Sequence, residues 1–147
     1  MDEQDRGIRN RTYALFADRG RAPTADEMAA FEGVSREELV ASWRRLDEAH
    51  ALVLEPTTDE IRMANPFSAV PTPYRVRAGG RSWFANCAWD AFGICAALAS
   101  DGHIDTACAD CGDSISLDVR DGKPDTDQLV FHCLVPAARW WDDIVYT

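Results

Sequence analysis

In the stretch FANCAWDAFGICAAL, residues 84–98, a cysteine and an aspartate stand three residues apart, Cys87 and Asp90, inside a run that is otherwise apolar at helical spacing. Residues three apart on a helix are neighbours on one face. Asn86 is a residue type favoured at helix N-caps, which places Cys87 in the first turn. Backbone amides and the positive end of the helix dipole favour a thiolate there, lowering the cysteine pKa below its free value of about 8.5. A thiolate beside a carboxyl group, on a helix whose other positions are Ala, Phe, Ile and Leu, describes a small dry site with one soft ligand and one proton carrier. Spacing alone leaves an alternative open: Cys87 simply buried, as free cysteine often is, with Asp90 pointing to water.

Four further cysteines could serve such a site. Cys95 is eight residues further along the same helix, about 12 Å away at the helical rise, too far to share one metal ion with Cys87. Cys133 lies in the apolar run 129–135, expected as a strand, and reads as an ordinary core position. Cys108 and Cys111 form Cys-x-x-Cys, the spacing of half a zinc site or of a redox pair. No second pair and no flanking histidine accompanies them, so zinc is disfavoured and a mercury-holding pair stays open. His50, His103 and His132 are scattered and read as surface or satisfied structural histidines. Trp83, Trp89, Trp140 and Trp141 are candidates either to wall the site or to fill the core.

The elements that must position this helix read as α+β. Residues 5–18 place Ile8, Tyr13, Leu15 and Phe16 near one side and end at Gly20. TADE at Thr24 and SREE at Ser35 are capping boxes that open a second and a third helix. Extended segments ALVLEP and IRMANPF follow across a polar turn. Three helices and a short hairpin make residues 1–65 a winged-helix-like subdomain. Pro66, Pro71 and Pro73 mark 66–80 as an ordered connector, since proline cannot donate to a helix or to a sheet interior. Residues 81–147 form the core that carries the site: a hairpin through Gly79 and Gly80 leads into it, then come the Cys87 helix and strands near 104–107, 114–120 and 129–135 of a small mixed or antiparallel sheet. Pro136 then opens a helix in a first-turn position, and the chain stops at Ile-Val-Tyr-Thr without a cap or a polar tail.

The 147 residues carry a formal net charge of -10, which disfavours nucleic acid and anionic lipid as partners, because phosphate binding rests on Lys and Arg. No apolar run approaches the roughly 20 residues of a membrane span, and the charged N-terminus shows no signal sequence. Five cysteines, an odd number, suit a compartment that keeps thiols reduced, and a cytoplasmic location is expected.

WFANCAWDAFGICAAL resembles the active-site segment of the organomercurial (alkylmercury) lyases, in which an aromatic-rich strand leads into Cys-Ala-x-Asp on an apolar helix. ACADCGDSISL is similar to that family's cysteine-containing turn before a strand, and LVFHCLVPAARWWDDIVYT to the strand, proline and helix that follow. The resemblance implies that Cys87 is the first thiolate ligand of an organomercurial, R–Hg⁺, and that Asp90 carries the proton to carbon. Hydrocarbon leaves and Hg²⁺ stays as bound product, with no other cofactor required and cellular thiols as partners. It implies a structural role for the cysteine at Cys108. It also places the family's second catalytic cysteine at or immediately beyond Thr147. Together with the uncapped ending, this gives the expectation that the reading frame continues past Thr147, across a UGA recoded as selenocysteine or beyond a shortened end; the downstream nucleotides test it.

Two other functions compete with the lyase. One is a non-catalytic thiolate protein that sequesters mercury or copper. The other is a winged-helix metal-responsive regulator, disfavoured because the first 65 residues hold 14 Asp/Glu against 9 Arg. The natural substrate and the oligomeric state are not readable from the residues.

Overall fold

The computed structural model describes residues 1–146. Caps set the helices of the first third. In α1 (Glu3–Arg19) the Asp2 carboxylate accepts the Asp5 amide at 2.8 Å, which starts the helix earlier than its apolar spacing indicates. Both expected capping boxes are present, Thr24 with Glu27 opening α2 (Ala25–Glu32) and Ser35 with Glu38 opening α3 (Arg36–Glu48). Phe16, Met28, Leu39, Trp43 and Leu46 are fully buried where the three helices meet. The Trp43 indole donates to Thr12 Oγ1 at 3.3 Å, and Thr12 in turn donates to the Ile8 carbonyl at 2.8 Å. A buried carboxylate, Asp5, ties α1 to α3 by accepting from Ser42 and from the Arg45 guanidinium.

Gly20 ends α1 in the left-handed conformation, φ 74°, with its N–H on the Phe16 carbonyl. A Cβ at this position would stand 2.8 Å from the Ser82 carbonyl oxygen. Gly20→Ala is therefore expected to destabilise the chain by about 1–3 kcal/mol, combining left-handed strain with a backbone clash. The reading is a lower urea midpoint at unchanged slope. An unchanged midpoint would mean that the end of α1 is not seated against residue 82.

Among the described residues, one antiparallel sheet of eight strands spans Val53 to Pro124. Its strands are β1 (Val53–Leu54), β2 (Ile61–Ala64), β3 (Phe67–Ser68), β4 (Arg75–Ala78), β5 (Arg81–Ala85), β6 (Gly102–Ala107), β7 (Ser114–Arg120) and β8 (Lys123–Pro124), in the spatial order β1-β2-β3-β5-β4-β6-β7-β8. The architecture is thus α+β with an antiparallel sheet. The sheet is larger than expected, because the proline-bearing stretch 66–80 contributes β3 and β4 to it. Gly79 and Gly80 make the expected hairpin turn, pairing Ala78 with Arg81. Helix α4 (Ala88–Ala97) follows β5 directly and packs back on β4 and β5, burying Ala91, Ile94 and Cys95.

Two expectations for the last 20 residues are corrected. Residues 129–135 form no strand: Val130 is 91% exposed, and Cys133 is exposed rather than a core residue. Apolar, β-prone residues need a partner edge, and this segment has none, because the chain leaves the sheet after the two-residue β8. The segment opened by Pro136 is a 3₁₀ turn, Ala137–Asp142, and not an α-helix. Its Trp141 ring stacks on His50 at 4.1 Å between centroids, which brings this segment to the end of α3. The expected cysteine position at or beyond Thr147 lies outside the described residues.

Candidate active site

Cys87 is the N-cap residue of α4, with extended backbone and its carbonyl accepting the Ala91 amide at 3.0 Å. Asn86 is not the cap. Its amide nitrogen instead donates to Asp90 Oδ2 at 2.9 Å and to Asn65 Oδ1 at 3.0 Å, with a longer contact of 3.4 Å to the Phe67 carbonyl. One side chain thus fastens the carboxyl of α4 to the segment joining β2 and β3. The Asn86 side-chain oxygen is buried without a partner on the wall of the cavity described next. Local spacing could not distinguish this bracing role from capping, because Asn65 is distant in sequence.

Cys87 and Asp90, both half-buried, line one cavity of about 320 Å³ together with Asn65, Tyr74, Asn86 and Cys133. Phe131, Trp140, Val145 and Tyr146 cover it from the C-terminal segment. The alternative of a carboxylate pointing to open water is therefore set aside. The Asn86 hydrogen bond holds the aspartate there, and α4 sits close against the β2–β3 connection, where a Cβ on Gly93 would come 3.1 Å from Pro66 Cβ.

The electrostatics correct the expected free thiolate. The backbone amides of Asp90 and Trp89, in the first turn of α4, do favour the ionised form of Cys87. Burial outweighs them, and the neighbouring Asp90 and Cys133 charges add to it, so the Cys87 thiol titrates above its ordinary value. Burial likewise pushes the Asp90 carboxyl up, opposed by the Asn86 hydrogen bond. Both groups therefore hold their protons more firmly than free cysteine and aspartate do. Tyr74 is raised as well, first by burial and then by the Cys87 charge.

The other candidates divide. Cys133 enters the cavity, its thiol donating to the Val135 carbonyl at 2.9 Å. Sequence reasoning missed it because the run around it looks like a core strand. Cys95 is buried with its sulfur over Gly102, where a Cβ would come within 2.6 Å, and plays no part in the cavity. Of the tryptophans only Trp140 walls the site; Trp83 is buried and donates to the Phe16 carbonyl, Trp89 is 61% exposed, and Trp141 pairs with His50. His132 lines the cavity. His103 belongs to a surface ladder with Asp118, Asp105 and Ser116, and the Asp118 carboxylate beside it raises its pKa. Cys108 and Cys111 occupy the β6–β7 turn, away from Cys87; amides of Cys111 and Asp110 hold the Cys108 thiol below its ordinary value.

Among the described residues no group of three or more His, Cys, Asp and Glu side chains is arranged to hold a metal ion. The cavity offers instead two thiols and one carboxyl in a mixed polar and apolar lining, a donor set that suits a soft metal better than zinc or calcium. The alkylmercury lyase (MerB) family model matches residues 67–147, more than half of the chain, and the chain belongs to that family. A solved structure described as the mercury-bound form of MerB2 is similar to it, with a TM-score of 0.67 and 25% sequence identity. The match covers 86% of this chain and 60% of the other, so this chain spans about 60% of that relative's length. Comparison with curated proteins gives no match.

Proposed function

We propose that the chain cleaves the carbon–mercury bond of organomercurials by protonolysis and retains Hg²⁺ on thiolates. The observation that carries this reading is the placing of Cys87, Asp90 and a second sulfur, Cys133, on the wall of one half-enclosed cavity. Family membership and the mercury-bound relative support the substrate class. Cys87 displaces the small thiol that brings R–Hg⁺ in, forming Cys87–S–Hg–R, and its proton leaves on that thiol. Cys133 then adds as the second sulfur; its proton passes through Asp90 to carbon, R–H departs, and mercury remains between two sulfurs. A soft cation prefers such ligands. The raised Asp90 carboxyl suits the middle role, since a proton carrier works best with a pKa near the working pH. Exchangeable thiols are the partners this route needs, and no resident cofactor enters it.

The finer reading of the first third follows from its charges. We take residues 1–65 as a winged-helix-like unit that packs the core, 66–80 as its connector and 81–147 as the lyase-like part; the family match begins at Phe67, beside the first of these boundaries, and takes in the connector as well. The arginines of the third helix are engaged within the chain: Arg36 with Asp26 and Glu60, Arg44 with Asp59, Arg45 with Asp5. That supports a packing role over DNA contact, where such side chains would face phosphate. No helix among the described residues is long and apolar enough to cross a membrane, and we propose a cytoplasmic setting.

Incubation with phenylmercury and excess thiol tests the function. Benzene release matched by protein-bound Hg²⁺ is the expected result. Mercury uptake without benzene would replace cleavage by sequestration.

A further inference from the structure

The Cys-x-x-Cys turn is not part of the Cys87 cavity, yet it is built around its two sulfurs. It closes on itself through Cys108 N–H to the Asp113 carbonyl at 2.8 Å and Gly112 N–H to the Cys108 carbonyl at 2.9 Å, directly beyond the Ala107–Ser114 pair of β6 and β7. The amides of Cys111 and Asp110 and the Cys111 side chain favour the ionised Cys108 sulfur and hold its thiol below the ordinary value, and both cysteines belong to this one closed turn. The Asp113 amide points at the Cys111 sulfur. Cys111 is exposed and Cys108 half-buried.

A second, apolar groove of about 330 Å³ reaches from Cys108 along Phe92, Ile115 and Leu117. It shares Tyr74, Ala88, Phe131 and His132 as walls with the Cys87 cavity, and Cys108 lines it while Cys111 does not. We propose that Cys108 and Cys111 form a second soft-metal site, a two-thiolate chelate for Hg²⁺ in the closed β6–β7 turn beside this groove.

The ligand chemistry follows from what the turn offers and lacks. Zinc needs about four protein donors around it, and no such group is assembled here. Mercury(II) is satisfied by two thiolates in a line, and Cys111 is exposed, so the metal can reach its sulfur from solvent. The carboxylates of Asp110 and Asp113 make the turn attractive to a cation and not to an anion. The reaction is exchange without oxidation: Hg²⁺ held by two small thiolates passes to the two cysteine sulfurs, and the cysteine protons leave on the released small thiols. The site stands whether or not Cys87 cleaves carbon–mercury bonds, so the two readings fail separately.

The test uses the full chain with Hg²⁺ presented as its complex with a small monothiol in excess. In a Cys87→Ser/Cys133→Ser background the chain is expected to retain one Hg²⁺ after gel filtration, and to lose that equivalent when Cys108→Ser and Cys111→Ser are added. In the unsubstituted chain Hg²⁺ should protect Cys108 and Cys111 together from alkylation, a measurement that does not depend on the variants folding. Retention unchanged by the added substitutions, alkylation of both thiols in the presence of Hg²⁺, or mercury bridging two chains would each overturn the proposal. Benzene release from phenylmercury, measured alongside, reports on the lyase reading alone.

Discussion

Asp90→Asn is expected to lower benzene release from phenylmercury by about 10²–10⁴-fold, the usual worth of a positioned proton carrier, while mercury binding survives. Asparagine keeps the size of the side chain, and its oxygen can still accept from Asn86 Nδ2, which lies 2.9 Å from Asp90 Oδ2. What it loses is the transferable proton. Cys87→Ser should separate from it cleanly: the hydroxyl neither binds mercury as thiolate does nor leaves a pair of thiols in the cavity, so benzene release and the mercury held in the cavity fall together, while Hg²⁺ on Cys108 and Cys111 stays. Parallel measurement of benzene and bound metal on the two variants checks this. Full-rate cleavage by Asp90→Asn would remove the carboxyl from the proton path, and full-rate cleavage by Cys87→Ser would remove the thiol from the reaction.

The second large effect concerns stability. Asp5 is 1% exposed and accepts from Ser42 Oγ at 2.5 Å, from Arg45 Nη2 at 2.6 Å and from Arg45 Nε at 2.9 Å. Asp5→Ala strands a buried hydroxyl and removes the anchor between α1 and α3. Arg45 is about half exposed and can return to water, which keeps the expected cost near the lower end for a broken buried pair, about 3 kcal/mol at neutral pH. The Arg45 guanidinium holds the Asp5 carboxyl below its model-compound value of 3.8. The ionised form is thus favoured by folding, and its contribution is complete above that value and lost as the pH falls through the lower folded-state pKa. Asp5→Asn, which cannot ionise, should show a deficit at neutral pH that shrinks in acid below 3.8. Urea titrations at several pH values measure it, and a deficit constant with pH would rule out the charge as its source.

Local rules carried the helical third. The capping boxes at Thr24 and Ser35, the stop at Gly20 and the apolar positions of α3 all involve partners within a few residues, and each appears where its spacing indicates. The Cys87–Asp90 pair was legible for the same reason. The same rules misread Asn86, whose partners Asn65 and Phe67 belong to another strand connection, and they placed Cys133 in a strand that has no edge to join. They also made Cys87 a ready thiolate. The amides expected at the helix start are there, but the cavity withdraws solvent from the sulfur, and that loss is the larger effect.

By itself the chain's order of residues determined the first three helices, the Gly79–Gly80 hairpin turn and the one-turn spacing of thiol from carboxyl, because each depends on neighbours a few peptide units away. Tertiary structure alone decided that Asn86 braces Asp90, that Cys133 shares the Cys87 cavity, and that burial raises the pKa of both Cys87 and Asp90. Those outcomes depend on desolvation and on contacts between distant segments, and neither quantity has a local period to read.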